Sequence, residues 1–229
     1  MIDYDYNYNF LEKTMLFKGM KEPEIKNLIV CTSAHPKSFK KDEIIYRAGD
    51  IAGNVGLVLT GSVNMVVNYY WGNSNIFSHI APGQIFAETY TAIPGKELLT
   101  DVVAAEDTDI MFMSMNCITD SCSKGCKWHN RMVHNLVQIM AQKNLDMSMR
   151  MMHTASRTIR DRLLSYFSEQ ASINNGPEFS IPFSRQQLAD YLGVERSALS
   201  NELSKMQKEG LISFHKNDFK LLQTTVKDM

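Results

Sequence analysis

Two cysteines and a histidine, Cys122, Cys126 and His129, follow one another at steps of four and three residues. On a helix these positions share one face, so two thiolates and one imidazole would converge. That donor set suits zinc, copper(I) or iron, and His129 or a cysteine would also suit an axial position on haem. Lys124 and Lys127 beside the cysteines would stabilise thiolates, which a redox switch requires.

A structural interpretation of the same cluster stays open. Cysteines pack well in protein cores, and Gly125 inside the motif disfavours the helix that the spacing requires. The sequence therefore leaves two alternatives: a metal, haem or redox sensor, and core packing with an unrelated small ligand elsewhere. A metal or redox enzyme built on the cluster is a competing hypothesis. Because we find no Ser-His-Asp set, glycine-rich phosphate loop or His-Glu helix motif, we expect a protein that is not an enzyme.

A second set of polar residues lies between residues 184 and 206. Ser184 and Gln187 have the spacing of a capping box, which predicts the start of a helix, and Gly193 predicts its end. A second helix is predicted by apolar residues at i, i+4 and i+7, namely Leu199, Leu203 and Met206. Two short helices joined by a glycine turn predict a helix-turn-helix.

The exposed face of the second predicted helix carries side chains that read base edges in DNA. Arginine pairs with guanine, asparagine with adenine and serine with either. The residues of this kind are Arg196, Ser197, Ser200 and Asn201. The run from Leu211 to Leu221 predicts a hairpin that turns at Asn217-Asp218, with Lys216 and Lys220 placed to contact phosphate. The pattern therefore predicts a winged helix that binds double-stranded DNA.

The elements ahead of this segment have two different periods. A short helix is predicted at Lys21–Val30, and short apolar runs with turn signals between them fill residues 38–116. Strands at a spacing of about ten residues predict an antiparallel barrel, roll or sandwich. From Thr119 to Thr154 the pattern becomes helical. We expect boundaries at 1–118 for the strand domain, 119–153 for the long helix and 154–229 for the winged helix.

The long predicted helix carries two apolar stripes. One is a heptad seam of Val133, Val137, Met140, Asn144, Met147 and Met151. The other consists of Met132, Leu136 and Ile139. We expect one stripe to pack on the strand domain and the seam to pair with a second chain, which gives a homodimer whose register is set by the polar Asn144.

Composition narrows the class of protein. The chain has 229 residues, a net charge of −1, 44% hydrophobic residues and 21% charged residues, which excludes a disordered chain, a collagen and a coiled-coil rod. The longest apolar window, Ile51 to Val67, contains glycines and polar residues, so we expect no membrane span. The acidic, polar N-terminus does not resemble a signal peptide, so we expect a cytoplasmic protein.

The order of these elements resembles the Crp/Fnr family of bacterial transcription regulators. The resemblance covers nearly the whole chain. Its motifs are Ile44-Ile-Tyr-Arg-Ala-Gly-Asp50, Val58-Leu-Thr-Gly-Ser-Val63, Pro82-Gly-Gln-Ile-Phe-Ala-Glu88, Leu188-Ala189, Leu192-Gly193-Val194 and Leu203. It implies an α+β fold: an N-terminal cyclic-nucleotide-binding-like antiparallel β-roll, a long dimerisation helix and a C-terminal winged helix-turn-helix. It also implies a homodimer that binds a palindromic operator under allosteric control and, as an activator, contacts RNA polymerase.

The resemblance assigns roles to individual positions. Arg196, Ser197 and Asn201 fall where the family reads bases, whereas Ser184 and Gln186 fall where it grips phosphate, with Arg185 between them and Ser200 beside the base readers. Two positions depart from the family pattern. Asn201 replaces the usual arginine, so the half-site should differ and favour adenine there. Glu195 stands at the helix cap in place of serine or threonine, where its charge suits the helix but would repel phosphate.

The same resemblance argues against cyclic AMP as the effector. Glu88 is present for the ribose hydroxyl, but Ala87 replaces the usual glycine, and Leu98 and Leu99 occupy the Arg-Ser positions that neutralise the cyclic phosphate. A buried phosphate without its arginine would cost several kcal/mol. The cysteines of the family's iron–sulfur sensors are absent as well, since Cys31 is alone near the N-terminus.

Overall fold

A computed structural model describes residues 6–72, 74–119 and 127–222 of the chain. The chain divides into two compact units, with the boundary between Ala141 and Gln142. In the part of the chain that is described, no helix is both long and apolar enough to cross a membrane. We call them the N-terminal unit and the C-terminal unit.

The N-terminal unit consists of short strands framed by helices. Its elements are α1 (Tyr8–Leu11), α2 (Glu22–Cys31), β1 (His35–Phe39), β2 (Ile44–Tyr46), β3 (Asn54–Thr60), β4 (Val63–Asn68), β5 (Ser74–Ile80), β6 (Ile85–Phe86), α3 (Glu88–Thr91), β7 (Asp101–Ala104), β8 (Thr108–Ser114), α4 (Met115–Thr119) and the first half of α5 (Lys127–Thr154). The strands form two four-stranded sheets, in the orders β1-β8-β3-β6 and β2-β7-β4-β5, and neighbouring strands in both sheets are antiparallel. This confirms the predicted antiparallel β-roll.

Two apolar clusters hold the N-terminal unit together. The roll core includes Phe39, Val58, Phe86, Leu98 and Phe112, and its aromatic rings meet edge to face, with Phe86 and Phe112 6.3 Å apart. Such edge-to-face pairs stabilise a core beyond their buried area. The second cluster, the helix core, joins α2 and α5 to the other side of β3 and β8.

The first half of α5 packs on the helix core as predicted for its second stripe. Met132 and Leu136 are buried there, and Ile139 is partly buried against the same cluster. The predicted seam is divided, because Val133 and Met140 also pack on the helix core. Three further seam residues face solvent, with exposed fractions of 57% for Val137, 65% for Met147 and 69% for Met151. The free part of the seam is thus shorter than the heptad pattern predicts.

The C-terminal unit contains the second half of α5 and a helix-turn-helix with a small sheet. Its further elements are α6 (Ile159–Ile173), β9 (Glu178–Ser180), α7 (Arg185–Leu192), α8 (Arg196–Lys208), β10 (Ile212–His215) and β11 (Asp218–Leu221). The sheet has the order β10-β11-β9 and is antiparallel. One apolar core joins all of these elements and is centred on Leu163, Phe167, Leu188, Leu199 and Leu203.

The hairpin of the C-terminal unit turns one residue earlier than the sequence predicts. His215 pairs with Asp218, so the two-residue turn is Lys216-Asn217 and not Asn217-Asp218. Lys216 takes the positive φ of 54° that the turn needs. Asp218 is held in the strand instead, because it also pairs with Ser180 of β9 and accepts a hydrogen bond from the Ser180 hydroxyl.

Candidate DNA interface

The entrance to α7 is fixed by a complete capping box. The Ser184 hydroxyl accepts the Gln187 N–H at 3.3 Å, and the Gln187 side chain accepts the Ser184 N–H at 2.8 Å. Two helix donors that would otherwise be unsatisfied are thereby paired. At the other end Gly193 has φ 64° and ψ 43°, a left-handed conformation in which a side chain would be strained. Both features match the sequence prediction.

Helix α8 presents an apolar side to the core and a polar side to solvent. Leu199, Leu203 and Met206 are fully buried, as predicted. Of the predicted base readers, Arg196, Ser197 and Asn201 are exposed and Ser200 is half-buried. Side chains at the N-terminal end of such a helix are those that reach base edges when it enters the major groove. The structure thus groups all four predicted residues at one exposed end of α8.

The polar side of α8 extends beyond the four predicted base readers. Lys205 and Lys208 are exposed and follow Asn201 by four and seven residues, so they continue the same face toward the C-terminus. Lysines at these positions add positive charge to the side of α8 that carries the predicted base readers. The helical spacing from Asn201 was the signal that would have identified them.

A cation on α6 fixes the far end of α8. Arg160 donates to Glu202 through Nε at 2.6 Å and to both oxygens of Glu209, at 2.8 and 3.1 Å. Arginine binds carboxylates in this bidentate manner with a defined geometry. These hydrogen bonds lower the pKa of Glu209 and raise that of Arg160. Arg160 was not among the predicted site residues, since its partners lie more than 40 positions away.

Among the residues predicted to contact phosphate, Ser184 and Gln186 are exposed, whereas Arg185 is directed into its own domain. The Arg185 guanidinium lies over the rings of Phe214 and Phe219. The Gln186 amide donates to the Asp190 carboxylate at 2.8 Å. Of the hairpin lysines, Lys216 is exposed and Lys220 forms an ion pair with Glu178 at 2.6 Å.

The second half of α5 is attached to α7 by two side chains. Arg150 donates to the carbonyl oxygens of Tyr191 and Asp190 at 3.0 and 2.9 Å. His153 is buried, with Nδ1 2.9 Å from the Tyr191 hydroxyl and Nε2 3.0 Å from the Glu169 carboxylate. Burial, together with the nearby charge of Glu169, raises the pKa of Tyr191, so its hydroxyl keeps its proton. Helix α5 and the helix-turn-helix therefore share one hydrogen-bonded junction.

Family models match the two units in turn. A cyclic nucleotide-binding domain matches residues 36–124, and a Crp-like helix-turn-helix domain matches residues 161–226. The chain is a Crp/Fnr-type DNA-binding transcription regulator. No curated protein sequence matches it.

Solved structures share the fold of this regulator. The catabolite activator protein of Thermus thermophilus is 19% identical, with 91% of this chain and 93% of that chain covered and a TM-score of 0.50. The c-di-GMP responsive global regulator CLP of Xanthomonas campestris is 17% identical, with 88% and 99% covered and a TM-score of 0.58. CprK complexed with OCPA is 15% identical, with 87% and 91% covered and a TM-score of 0.64.

At the two positions where the family resemblance places the partners of a cyclic phosphate, Leu98 and Leu99, the roll of this regulator has no cation. Leu98 is 2% exposed and belongs to the roll core, whereas Leu99 is 70% exposed on the surface. Glu88 is buried at the start of α3. Ala87 before it has φ 62°, the left-handed region in which the family's glycine would be unstrained. The residues at these positions do not fit a cyclic nucleotide, because an apolar side chain replaces the guanidinium.

Of the predicted cysteine and histidine cluster, only His129 lies within the described residues. Its side chain is 4% exposed, and neither ring nitrogen has a hydrogen-bond partner in the described part of the chain. Cys122 and Cys126 lie outside the described residues. Cys117 is half-buried and Cys31 is exposed. Within 6–72, 74–119 and 127–222, no group of three histidines, cysteines or carboxylates is arranged to hold a metal.

Proposed function

We propose that this regulator acts as a homodimer that binds a palindromic operator, with one α8 in the major groove of each half-site. The observation that carries the proposal is the division of α8 into a buried apolar side and an exposed polar end. Arg196, Ser197, Ser200 and Asn201 contact base edges, with Arg196 on guanine and Asn201 on adenine. Ser184 and Gln186 contact phosphate, and Lys205 and Lys208 add to the backbone contacts.

The dimer forms through the free part of the α5 seam. Val137, Met147 and Met151 are large apolar side chains that face solvent along one helix, with Asn144 among them. Exposed apolar stripes of this kind are typical of helices that pair lengthwise. A two-fold axis along α5 would place two recognition helices on half-sites about one helical turn of DNA apart.

The effector in this proposal is not cyclic AMP. Leu98 and Leu99 stand where a cyclic phosphate needs a cation. The proposed sensor is the cluster of Cys122, Cys126 and His129, for which the unpaired buried imidazole of His129 is the supporting observation. An effector that shifts the α5 seam would re-aim the two α8 helices. In this proposal the protein acts on DNA in the cytoplasm, as a regulator and not as an enzyme, and as an activator it contacts RNA polymerase.

Selection from a randomised DNA library followed by titration of the selected site tests the DNA-binding proposal. We expect a palindromic sequence whose half-site centres are about 10 base pairs apart. The double variant R196A/N201A should lose the discrimination between this site and random DNA, and K205A should weaken binding to both equally. A chain that selects no sequence, with or without oxygen, would refute the proposal.

Light scattering of variants in the seam tests the dimer. Met147→Asp and Met151→Asp place a charge on the free seam and should give monomers with weaker operator binding. Gln138→Asp, which adds the same charge at an exposed position of α5 outside the seam, is the matched control and should remain dimeric. Dimeric Met147→Asp and Met151→Asp variants would place the interface elsewhere.

The proposed sensor cluster can be tested on protein that is purified without oxygen and then offered haemin. The measurements are an absorption spectrum and a metal analysis. A Soret band or a stoichiometric metal that is lost in Cys126→Ala and His129→Ala would support the cluster. A featureless spectrum without metal would favour the alternative, in which the cysteines only pack in the core. The effector would then be sought among small organic ligands of the roll.

A further inference from the structure

Glu195, the N-cap residue of α8, is an acid whose side chain is held in place by hydrogen bonds from its own helix. The Glu195 carboxylate accepts the Ala198 N–H at 2.9 Å and also accepts a hydrogen bond from the Ser197 hydroxyl, both through Oε2. Glu195 is exposed at the cap of α8. A carboxylate offers about four acceptor positions. Because the local hydrogen bonds occupy only some of them, the Glu195 carboxylate can still accept a hydrogen bond from a partner outside the protein. The acid is therefore both fixed and available.

Ser197 loses its freedom to donate through the same contact. A serine hydroxyl has one proton and two lone pairs, and in this structure the proton points to Glu195. Ser197 can then only accept a hydrogen bond from a partner outside the protein. The pair formed by Glu195 and Ser197 presents acceptors alone, next to Arg196, which presents donors alone.

The charge of this acceptor pair is retained at neutral pH. The Ser197 hydroxyl, followed by the N–H groups of Ser197 and Ala198, lowers the pKa of Glu195 below its ordinary value of 4.5. The carboxylate is thus ionised wherever the protein meets DNA. An ionised acid at the tip of a recognition helix either repels the phosphate backbone or accepts a hydrogen bond from the amino group of a base.

The major groove offers two donors to such an acceptor. Cytosine presents its N4 amino group, and adenine presents its N6 amino group beside the N7 acceptor, which would repel a carboxylate. Cytosine therefore suits an acceptor-only pair better than adenine, and thymine and guanine offer acceptors at the corresponding edge. We propose that Glu195 and Ser197 together read the N4 amino group of a cytosine in the operator half-site, next to the guanine read by Arg196.

This inference rests on the proposed DNA binding and adds a base preference to it. The sharpest test compares the selected operator with versions in which each cytosine of the half-site is replaced by the pyrimidin-2-one nucleoside, which lacks only the N4 amino group. For the wild type we expect affinity to fall about 5- to 150-fold at one cytosine, the range of a good side-chain–base pair. The variant Glu195→Gln should be much less sensitive at that same position, and Ser197→Ala should lie between the two.

Glu195→Gln keeps the length of the side chain and an oxygen that can accept the Ala198 N–H, so the helix start is preserved, which circular dichroism and thermal unfolding check. Arg196→Ala is the positive control, since it should lose discrimination at a guanine and retain it at the cytosine. If Glu195→Gln binds every sequence more tightly by the same factor and keeps the cytosine preference, the acid merely repels phosphate and the inference is wrong. A wild type that selects no operator would instead overturn the proposed DNA binding, and the inference with it.

Discussion

The guanidinium of Arg185 lies 5.0 Å from the ring centroid of Phe219 and at the same distance from that of Phe214. Its Nη2 atom donates to the carbonyl oxygen of Lys216 at 2.6 Å. Burial lowers the pKa of Arg185, but an arginine remains protonated in spite of this. One side chain at the start of α7 thus joins the helix-turn-helix to the turn of the β10–β11 hairpin.

Replacing Arg185 by methionine tests this joining role. Methionine keeps the length and the apolar contact with the rings, but it loses the cation–π attraction and the hydrogen bond to Lys216. We expect the free energy of unfolding to fall by about 1–2 kcal/mol in urea titrations, and DNA binding to weaken without a change in base preference. Arg157→Met, which removes the same charge at an exposed position of the C-terminal unit, is the control for stability. Unchanged stability in Arg185→Met would leave Arg185 as a DNA contact only.

Gly56 in β3 is paired with Phe86 of β6, and the Phe86 ring lies directly against it. A Cβ atom at this position would lie 2.2 Å from Cζ of Phe86, a residue of the roll core. Gly56→Ala should therefore lower the unfolding free energy by about 1–3 kcal/mol, the usual cost of overpacking a core. Gly53→Ala is a matched control, because nothing lies within 4 Å of a Cβ atom there. Equal urea midpoints for the two variants would contradict the prediction.

The features that the sequence predicts well are those with short-range causes. The capping box of Ser184 and Gln187 and the turn at Gly193 depend on residues within the same ten positions, and both are confirmed. The strands that the sequence predicts within residues 38–116 are those with apolar or alternating runs. Strand β1 was missed because Phe39 is its only buried residue, so its sequence carries no apolar pattern. It is a strand because its backbone pairs with β8.

The features that the sequence misses have partners far along the chain. Arg185 is typical of a DNA contact by position, and the aromatic rings that engage it lie about 30 residues later on the hairpin. The heptad pattern treats Val133 and Val137 alike, although the fold covers Val133 with the helix core and leaves Val137 exposed. Leu98 and Leu99 are also alike as a sequence, but only the first points into the roll core. Periodicity gives the face of an element and not the residues that cover it.

Asn135 on α5 fixes the N-terminal segment through a pair of long-range hydrogen bonds. Its buried amide nitrogen donates to the carbonyl oxygens of Leu16 and Lys18, both at 3.0 Å. Asn135→Asp has the same shape but replaces the donor by an acceptor that faces two carbonyl oxygens. Asn135→Leu leaves both carbonyls without this partner.

We expect each variant of Asn135 to lose about 1–3 kcal/mol of unfolding free energy, the cost of unsatisfied buried polar groups, with Asn135→Asp the less stable above pH about 5. Chemical denaturation at two pH values measures the difference. The conservative control is Gln138→Glu, an amide-to-acid change at an exposed position on the same helix. An Asn135→Leu variant as stable as the wild type would show that water replaces the amide at no cost.

The ion pair between Arg160 and Glu209 gives the C-terminal unit a defined response to acid. Arg160 lowers the pKa of Glu209 below its ordinary value of 4.5, so the folded chain binds a proton at this carboxylate less readily than the unfolded chain. The stability from this pair is complete above the unfolded pKa and is lost as the pH falls through the lower, folded value. Above pH about 5 it should therefore contribute a constant amount.

Arg160→Met removes the pair while keeping the aliphatic part of the side chain. We expect a lower unfolding temperature than the wild type at neutral pH, and a gap between the two that narrows as the pH falls from about 5 to about 3. High salt should also narrow the gap at neutral pH, because exposed pairs are screened. Arg157→Met, which changes the charge equally at a nearby exposed position, should track the wild type across this range. A gap that stays constant with pH would mean that Arg160 stabilises α8 through packing and not through the charge of Glu209.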